Sequence, residues 1–229
     1  MTTVLLIRHG RTTANSAGVL AGWTPNVHLD EKGELQAAAL GERLAAVGLD
    51  RIVASPLERC QETAALINRP RGKFPLSIEL DERIGECHYG DWTGRTLKDL
   101  AKEPMWKVVQ QHPAAAVFPG SEGESLAQMS SRAVAAVREW NAQLGSDATY
   151  AIVSHGDVIK AILADAMGLH LDSFQRIGID PASLSVVRYT PYRPMIERVN
   201  DTGGAIDSLF VKARRRRSGN AALGGGAGH

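Results

Sequence analysis

The strongest constraint on this chain lies at its start. Val4, Leu5, Leu6 and Ile7 form an unbroken apolar run that passes directly into Arg8, His9 and Gly10. A short run of leucine and β-branched residues predicts a strand buried on both faces, the pattern of a parallel sheet covered by helices. The same device returns at Tyr150, Ala151, Ile152 and Val153, followed by Ser154, His155 and Gly156. Buried strands that end this way deliver their last side chains to the carboxyl edge of a sheet, where open α/β sheets bind ligands. A guanidinium beside an imidazole at that edge suits chemistry on an anion. Arginine offers fixed bidentate donors for phosphate, and histidine serves as base, acid or nucleophile.

The rest of the chain supplies helices to cover such a sheet. Asp30 predicts the N-cap of a helix over 31–47, with Leu40, Leu44 and Val47 on its buried face and Gly48 ending it. A strand over 52–54 follows. Ser55, Pro56 and Glu58 then predict a helix start, with Ser55 capping and Glu58 closing a capping box, and that helix runs to about 67. Its first turn carries Arg59, and a helix N-terminus is itself an anion site. Residues 76–80 read as a third strand. The spacing of Leu126, Met129, Ala133, Val137, Trp140 and Leu144 predicts a helix over 125–144. After Gly156 another helix buries Val158, Ile159, Ile162, Leu163 and Met167. Two strands, 185–189 and 195–199, flank a turn at 191–194. Residues 11–29 read as an irregular loop, and 81–123, rich in Gly, Pro and Trp, as an excursion over the sheet edge. Strands alternating with helices predict a three-layer α/β/α sandwich with a mostly parallel central sheet. We place one domain at 1–211. The tail 212–229, with Arg214 to Arg217 followed by Gly, Ala, Ser and Asn, is read as disordered.

A net charge of +1 gives no reason to expect nucleic acid or a membrane as partner. Cys60 and Cys87 form no zinc or redox spacing, which sets a cytoplasmic, reducing compartment as the default. The chain opens directly on its first strand, without a signal-peptide pattern, and no apolar run approaches a membrane span. Arg8, His9, Arg59 and His155 converge in this reading on one sheet edge, a pocket for a phosphoryl group.

Arg8-His9-Gly10-Arg11-Thr12-Thr13-Ala14-Asn15 resembles the opening motif of the histidine phosphatase superfamily, in its phosphoglycerate-mutase-like branch. Further blocks follow in order. Gly22, Leu29, Asp30, Gly33 and Gln36 resemble a second block, with Asp30 where threonine is usual. Ser55 to Ala64 resembles the Ser-x-x-x-Arg-x-x-x-Thr-Ala block. Glu86 to Gly94 is similar to the block carrying the catalytic acid, and Gly123-Glu124-Ser125 and Val153-Ser154-His155-Gly156 complete the set. The resemblance implies a phosphoglycerate-mutase-like fold and a metal-independent phosphatase without a cofactor, acting on a small phosphorylated metabolite. In it His9 is the nucleophile that forms a phosphohistidine. Arg8, Arg59, His155 and Asn15 hold the phosphoryl oxygens. Glu86 protonates the leaving alkoxide and then activates water. It also allows a homodimer.

Three other readings compete. A cofactor-dependent phosphoglycerate mutase would favour extra basic groups over the pocket, yet 87–122 balances Arg95, Lys98, Lys102 and Lys107 against Asp91, Asp99, Glu103 and Glu122. A two-His, one-carboxylate metal site on His9, His155 and Glu86 is opposed by the adjacent arginines. A non-catalytic phospholigand-binding scaffold should have lost some of these groups, and none is missing. Trp23, His88, Trp106 and Phe118 are expected at the entrance. Arg11, a third basic residue near His9, points to a more acidic substrate. Asp81 and Glu82 are the acids most easily mistaken for Glu86, and Cys60 and Cys87 are read as spectators.

Overall fold

A computed structural model of the chain describes residues 1–72 and 75–203 and sets its strands in one six-stranded sheet. In chain order the elements are β1 (Thr2–Arg8), α1 (Thr13–Ala17), α2 (Glu31–Leu44), β2 (Arg51–Ala54), α3 (Glu58–Asn68), β3 (Ile78–Leu80), α4 (Leu97–Leu100), α5 (Pro104–Gln111), α6 (Leu126–Leu144), β4 (Thr149–Ser154), α7 (Gly156–Ala166), β5 (Leu184–Tyr189) and β6 (Pro194–Asp201). The sheet order is β3-β2-β4-β1-β5-β6. Strands β1 to β4 run parallel, while β5 and β6 form an antiparallel edge.

Alternation along the strands divides the core in two. Val4 and Leu6 join Ile152, Met129, Val137 and Ile162 on one face of the sheet. Leu5 and Ile7 join Leu40, Leu44, Ile52 and Ile67 on the other. Each apolar side chain of this size, fully removed from water, stabilises the fold by about 1.5–3 kcal/mol. β1 and β4 are buried on both faces, and the site hangs from their ends.

Register fixes that site. Arg8 pairs with Ser154, and Ala54 with Val153. The His9 amide donates to the Ser154 carbonyl (3.0 Å) and the Ser55 amide to that of Val153 (2.9 Å). His9, Ser55 and His155 therefore leave the sheet at one level, at the carboxyl edge of β1, β2 and β4.

Helix caps explain where the sequence reading holds and where it shifts. Asp30 caps α2 by accepting from the Gly33 amide (2.8 Å), and Ser125 forms a capping box with Gln128 on α6. α2 stops at Leu44, short of Val47 and Gly48: the Ala45 and Val47 amides turn back to the Glu42 and Leu44 carbonyls in tighter three-residue steps, and the Arg71 guanidinium bonds the Leu44 and Val47 carbonyls at that end. α3 starts at Glu58 rather than Ser55, with extended Leu57 as its N-cap and no side-chain cap bond. The expected capping box is absent because Ser55 is turned to His155, and the Glu58 carboxylate accepts instead from the Asn26 amide. β3 begins at Ile78, since the Asn68 side chain claims both backbone groups of Leu76 (2.8 and 3.0 Å). Met167 lies past the end of α7 and is 37% exposed. Phe118 and Trp106 pack against Trp92 in the core instead of lining an entrance. The tail 212–229 lies outside the described residues.

Candidate active site

His9 is held in one tautomer by the backbone beside it. Its Nδ1 lies 2.7 Å from the Gly10 carbonyl oxygen. A carbonyl only accepts, so Nδ1 carries the hydrogen and Nε2 keeps its lone pair. Burial, then the nearby Arg59 and Arg8 guanidiniums, push the His9 pKa well below the ordinary 6.5, so the ring is neutral at pH 7. The loop around it is clamped from two helices. Thr63 on α3 accepts from the Gly10 amide (3.0 Å) and donates to the Arg59 carbonyl (2.7 Å). On α2, Gly33 meets the loop backbone to backbone. A Cβ there would stand 2.0 Å from the Arg11 carbonyl oxygen, and one at Gly10 would stand 2.5 Å from the Gly33 oxygen.

Two guanidiniums and a second imidazole surround that ring. Arg8 is fully buried and donates to the Ile179 carbonyl (2.8 Å); burial lowers its pKa to about 10, which leaves it charged at neutral pH. Arg59, in the first turn of α3, donates from Nη2 to the Gly22 carbonyl (2.8 Å) and to His155 Nδ1 (3.3 Å). Its Nη1 is buried and has no hydrogen-bond partner among the described residues, an unspent donor of the kind an anion satisfies. The His155 ring stands edge-on to that of His9, centroids 5.3 Å apart. A guanidinium only donates, so His155 Nδ1 accepts from Arg59 and Nε2 donates to Ser55 Oγ (2.8 Å). Burial and the same arginines hold His155 well below 6.5 as well.

Glu86 arrives from the excursion between β3 and α6. It is 4% exposed, with Oε2 3.9 Å from His155 Nδ1. Desolvation, reinforced by Asp157, raises its pKa to about 7, against the pull of Arg59 and Arg8. Three hydrogen bonds hold it in place. Trp23 Nε1 (2.6 Å) and Arg132 Nη2 (2.8 Å) donate to its carbonyl, and its own Oε1 accepts from the Cys87 amide (3.0 Å). Arg132 is oriented by Glu124, which also accepts from the His88 amide (2.9 Å). A carboxyl poised near neutrality, an imidazole with a free lone pair and an open guanidinium donor face one cavity, completed by Thr12, Asn15, segment 18–22 and Leu97. Such a set can accept a phosphoryl group on nitrogen and supply a proton to its leaving oxygen.

The family model of the histidine phosphatase superfamily (branch 1) matches residues 4–202. This chain belongs to that superfamily. It is 30% identical over 223 residues to phosphoserine phosphatase 1 of Hydrogenobacter thermophilus, covering 94% of this chain and 99% of that protein. It is also 31% identical over 194 residues to the probable phosphoglycerate mutase GpmB of Erwinia tasmaniensis, covering 82% and 85% of the two. The phosphoserine phosphatase of Entamoeba histolytica, solved in complex with 3-phosphoglyceric acid, superposes with a TM-score of 0.78 at 25% identity, covering 88% of this chain and 98% of its own length. The histidine phosphatase fold thus binds phosphorylated small molecules in a structural neighbour of this chain.

The structure brings Arg8, His9, Arg59, Glu86 and His155 together. Arg8 and His155 are entirely buried, while His9, Arg59 and Glu86 reach the cavity. Asn15 lines the cavity too, but its Oδ1 is engaged by the amide (3.1 Å) and hydroxyl (3.0 Å) of Thr12 as part of the α1 cap. Arg11 is outside the cavity lining, and its Nε is paired with Asp30 (2.8 Å). Asp81 is buried against Arg83 and Trp140, clear of the site. His88 stacks on Trp23 (4.5 Å between centroids) outside the cavity wall. Cys60 is less remote than a spectator, with Sγ 3.4 Å from His155 Nε2, though burial raises its pKa to about 12 and keeps it a thiol. The sequence reading missed the Ser55 contact to His155, the Arg132–Glu124 brace and buried Asp157, which accepts from Tyr89 Oη and Lys160 Nζ (both 3.1 Å). Only Ser55, Thr63 and Glu124 carried a signal, through their places in the motif blocks.

Proposed function

We propose that this histidine phosphatase hydrolyses small phosphomonoesters in the cytoplasm through a phosphohistidine on His9. The observation that carries the reading is the locked, neutral His9: an imidazole attacks phosphorus only through a free lone pair, and Nε2 has one. Nε2 forms the N–P bond as the P–O bond to the alcohol breaks. The imidazolium that results keeps its Nδ1–H on the Gly10 carbonyl. Glu86 gives its proton to the departing oxygen. Water then attacks the phosphoryl group, Glu86 takes the water's proton, and phosphate leaves with His9 restored.

Arg59 Nη1 and Arg8 offset charge on the transferring oxygens, which is most of what phosphoryl transfer asks of a protein. That positive field is the chain's own, and the steps as written use no metal. His155 offers a donor to the same oxygens in its other tautomer, once the Arg59 Nη2 contact to Nδ1 is released and Nδ1 carries the hydrogen. The Ser55 hydroxyl, able to donate as well as accept, permits that tautomer. Asn15 contributes its amide nitrogen as a neutral donor.

The test sets phosphate release against phosphoglycerate isomerisation, with and without a chelator, and His9→Ala as control. The expected result is phosphate release that survives the chelator and vanishes in His9→Ala. Isomerisation without release would establish a mutase. No turnover, with retained phosphate binding, would establish a scaffold.

A further inference from the structure

Part of the cavity that His9 lines is walled by apolar side chains. Segment 18–22 is stitched to segment 94–97 by backbone bonds: Leu20 N–H to the Arg95 carbonyl (2.9 Å), Gly94 N–H to that of Leu20 (2.8 Å) and Leu97 N–H to that of Gly18 (2.8 Å). The Gly22 carbonyl is in turn tied to Arg59. This sets Val19, Leu20 and Leu97 beside the phosphoryl-binding groups. Cations from neighbouring segments are turned elsewhere. Arg11 is paired with Asp30 (2.8 Å), Arg95 with Glu103 (2.6 Å), and Lys98 is exposed and outside the cavity wall. Thr12 and Asn15 are the polar side chains of the remaining wall, and both are neutral.

Charge then sorts substrates. Arg8 and Arg59 are matched by the phosphoryl dianion itself. A carboxylate or a second phosphate on the alcohol portion would lose water against Val19 and Leu97 and find no counter-ion among the described residues of that wall. An alkyl or hydroxylated portion loses little and buries carbon against the same wall.

We infer that the substrate is a phosphomonoester whose alcohol portion is uncharged and partly apolar, and that the wall formed by Val19, Leu20 and Leu97 selects against a second anionic group. This rests on the phosphatase reading of His9. It reverses the acidic-substrate expectation drawn from Arg11, and it disfavours bisphosphates on the same ground.

The experiment uses a matched series on the full chain: n-propyl phosphate, glycerol 1-phosphate and 3-phosphoglycerate. All are primary three-carbon esters, and the third differs from the second by a carboxylate in place of a hydroxymethyl group. kcat/KM is read from phosphate release for the native protein, Leu97→Lys, the neutral control Leu97→Gln, and His9→Ala. The expected result is a preference of about tenfold or more for the uncharged esters over 3-phosphoglycerate. Leu97→Lys, but not Leu97→Gln, narrows that ratio at least about threefold. Equal or better His9-dependent hydrolysis of 3-phosphoglycerate overturns the inference and leaves the phosphatase reading intact. A ratio that Leu97→Lys does not move overturns the assignment to this wall. Loss of His9-dependent hydrolysis for all three esters would instead overturn the phosphatase reading.

Discussion

Replacing Glu86 by glutamine keeps the side chain's size and removes its transferable proton. General acid catalysis of this type contributes about 10²–10⁴-fold, or about 3–5 kcal/mol of barrier at about 1.36 kcal/mol per tenfold. The loss should fall on esters with poor leaving groups. An alkyl phosphate should slow by about 10³-fold, whereas p-nitrophenyl phosphate, whose leaving group departs without a proton, should slow less than about tenfold in a single-turnover measurement of the first step. The pH profile gives an independent sign. Glu86, raised to about 7 by burial and Asp157, is protonated below that value and ionised above it. His9, pushed well below 6.5, stays neutral across the same range. For an alkyl ester kcat/KM should therefore be high on the acid side of 7 and fall as pH rises. Glu86→Gln should abolish that limb, while the ester's own ionisation, near about pH 6, appears in both enzymes and cancels in the comparison. An alkyl-ester rate within about threefold of native, or an unchanged alkaline limb in the variant, would refute this assignment of the acid.

Glu86 should also mark stability. Its folded pKa lies above the ordinary 4.5, so the folded chain holds a proton that the unfolded chain releases, and stability falls as pH rises from about 4.5 to 7. The melting temperature of Glu86→Gln relative to native should accordingly rise between pH 5 and pH 8, by the equivalent of about 1–3 kcal/mol; a constant difference contradicts the buried carboxyl. Gly33→Ala would force a Cβ to within 2.0 Å of the Arg11 carbonyl oxygen. Overpacking of about 2–3 kcal/mol should lower the melting temperature by about 4–10 °C and displace the His9 loop, seen as a fall in kcat. Arg11→Ala, which breaks only a partly exposed pair with Asp30, should alter hydrolysis of acidic and neutral esters alike, and a selective loss on acidic ones would restore Arg11 to the site.

The legible parts of this molecule are those written in local patterns. The two strands ending in His-Gly could be read because burial on both faces leaves an unbroken apolar run, and their register then forces His9 and His155 to one level. Asp30 was legible as a cap because its cap bond is local: Oδ1 accepts from the Gly33 amide three residues on, while Arg11 takes the other oxygen. Ser55 looked the same and was not a cap, since a partner a hundred residues away takes its hydroxyl. The pairing of Arg11 with Asp30 was hidden for the same reason, since it joins residues far apart in the chain. The wall of 18–22 against 94–97 has no periodicity, because it rests on a single isolated bridge between Val19 and Thr96 and a few backbone bonds. Asp157 and Lys160 are charged residues on a mostly apolar helix, which pattern alone assigns to solvent. Both are buried, Asp157 because Tyr89 and Lys160 neutralise and bond it beneath the site.

The central claim is a covalent bond between phosphorus and His9. Mixing the protein with a phosphorus-labelled ester, quenching within one turnover in alkaline denaturant and mapping the label by peptide mass spectrometry tests it directly. The label should sit on His9, form and decay at rates compatible with kcat, and be missing, with turnover, from His9→Ala. A label on another residue, or continued turnover of the ester by the His9→Ala protein, would contradict the account.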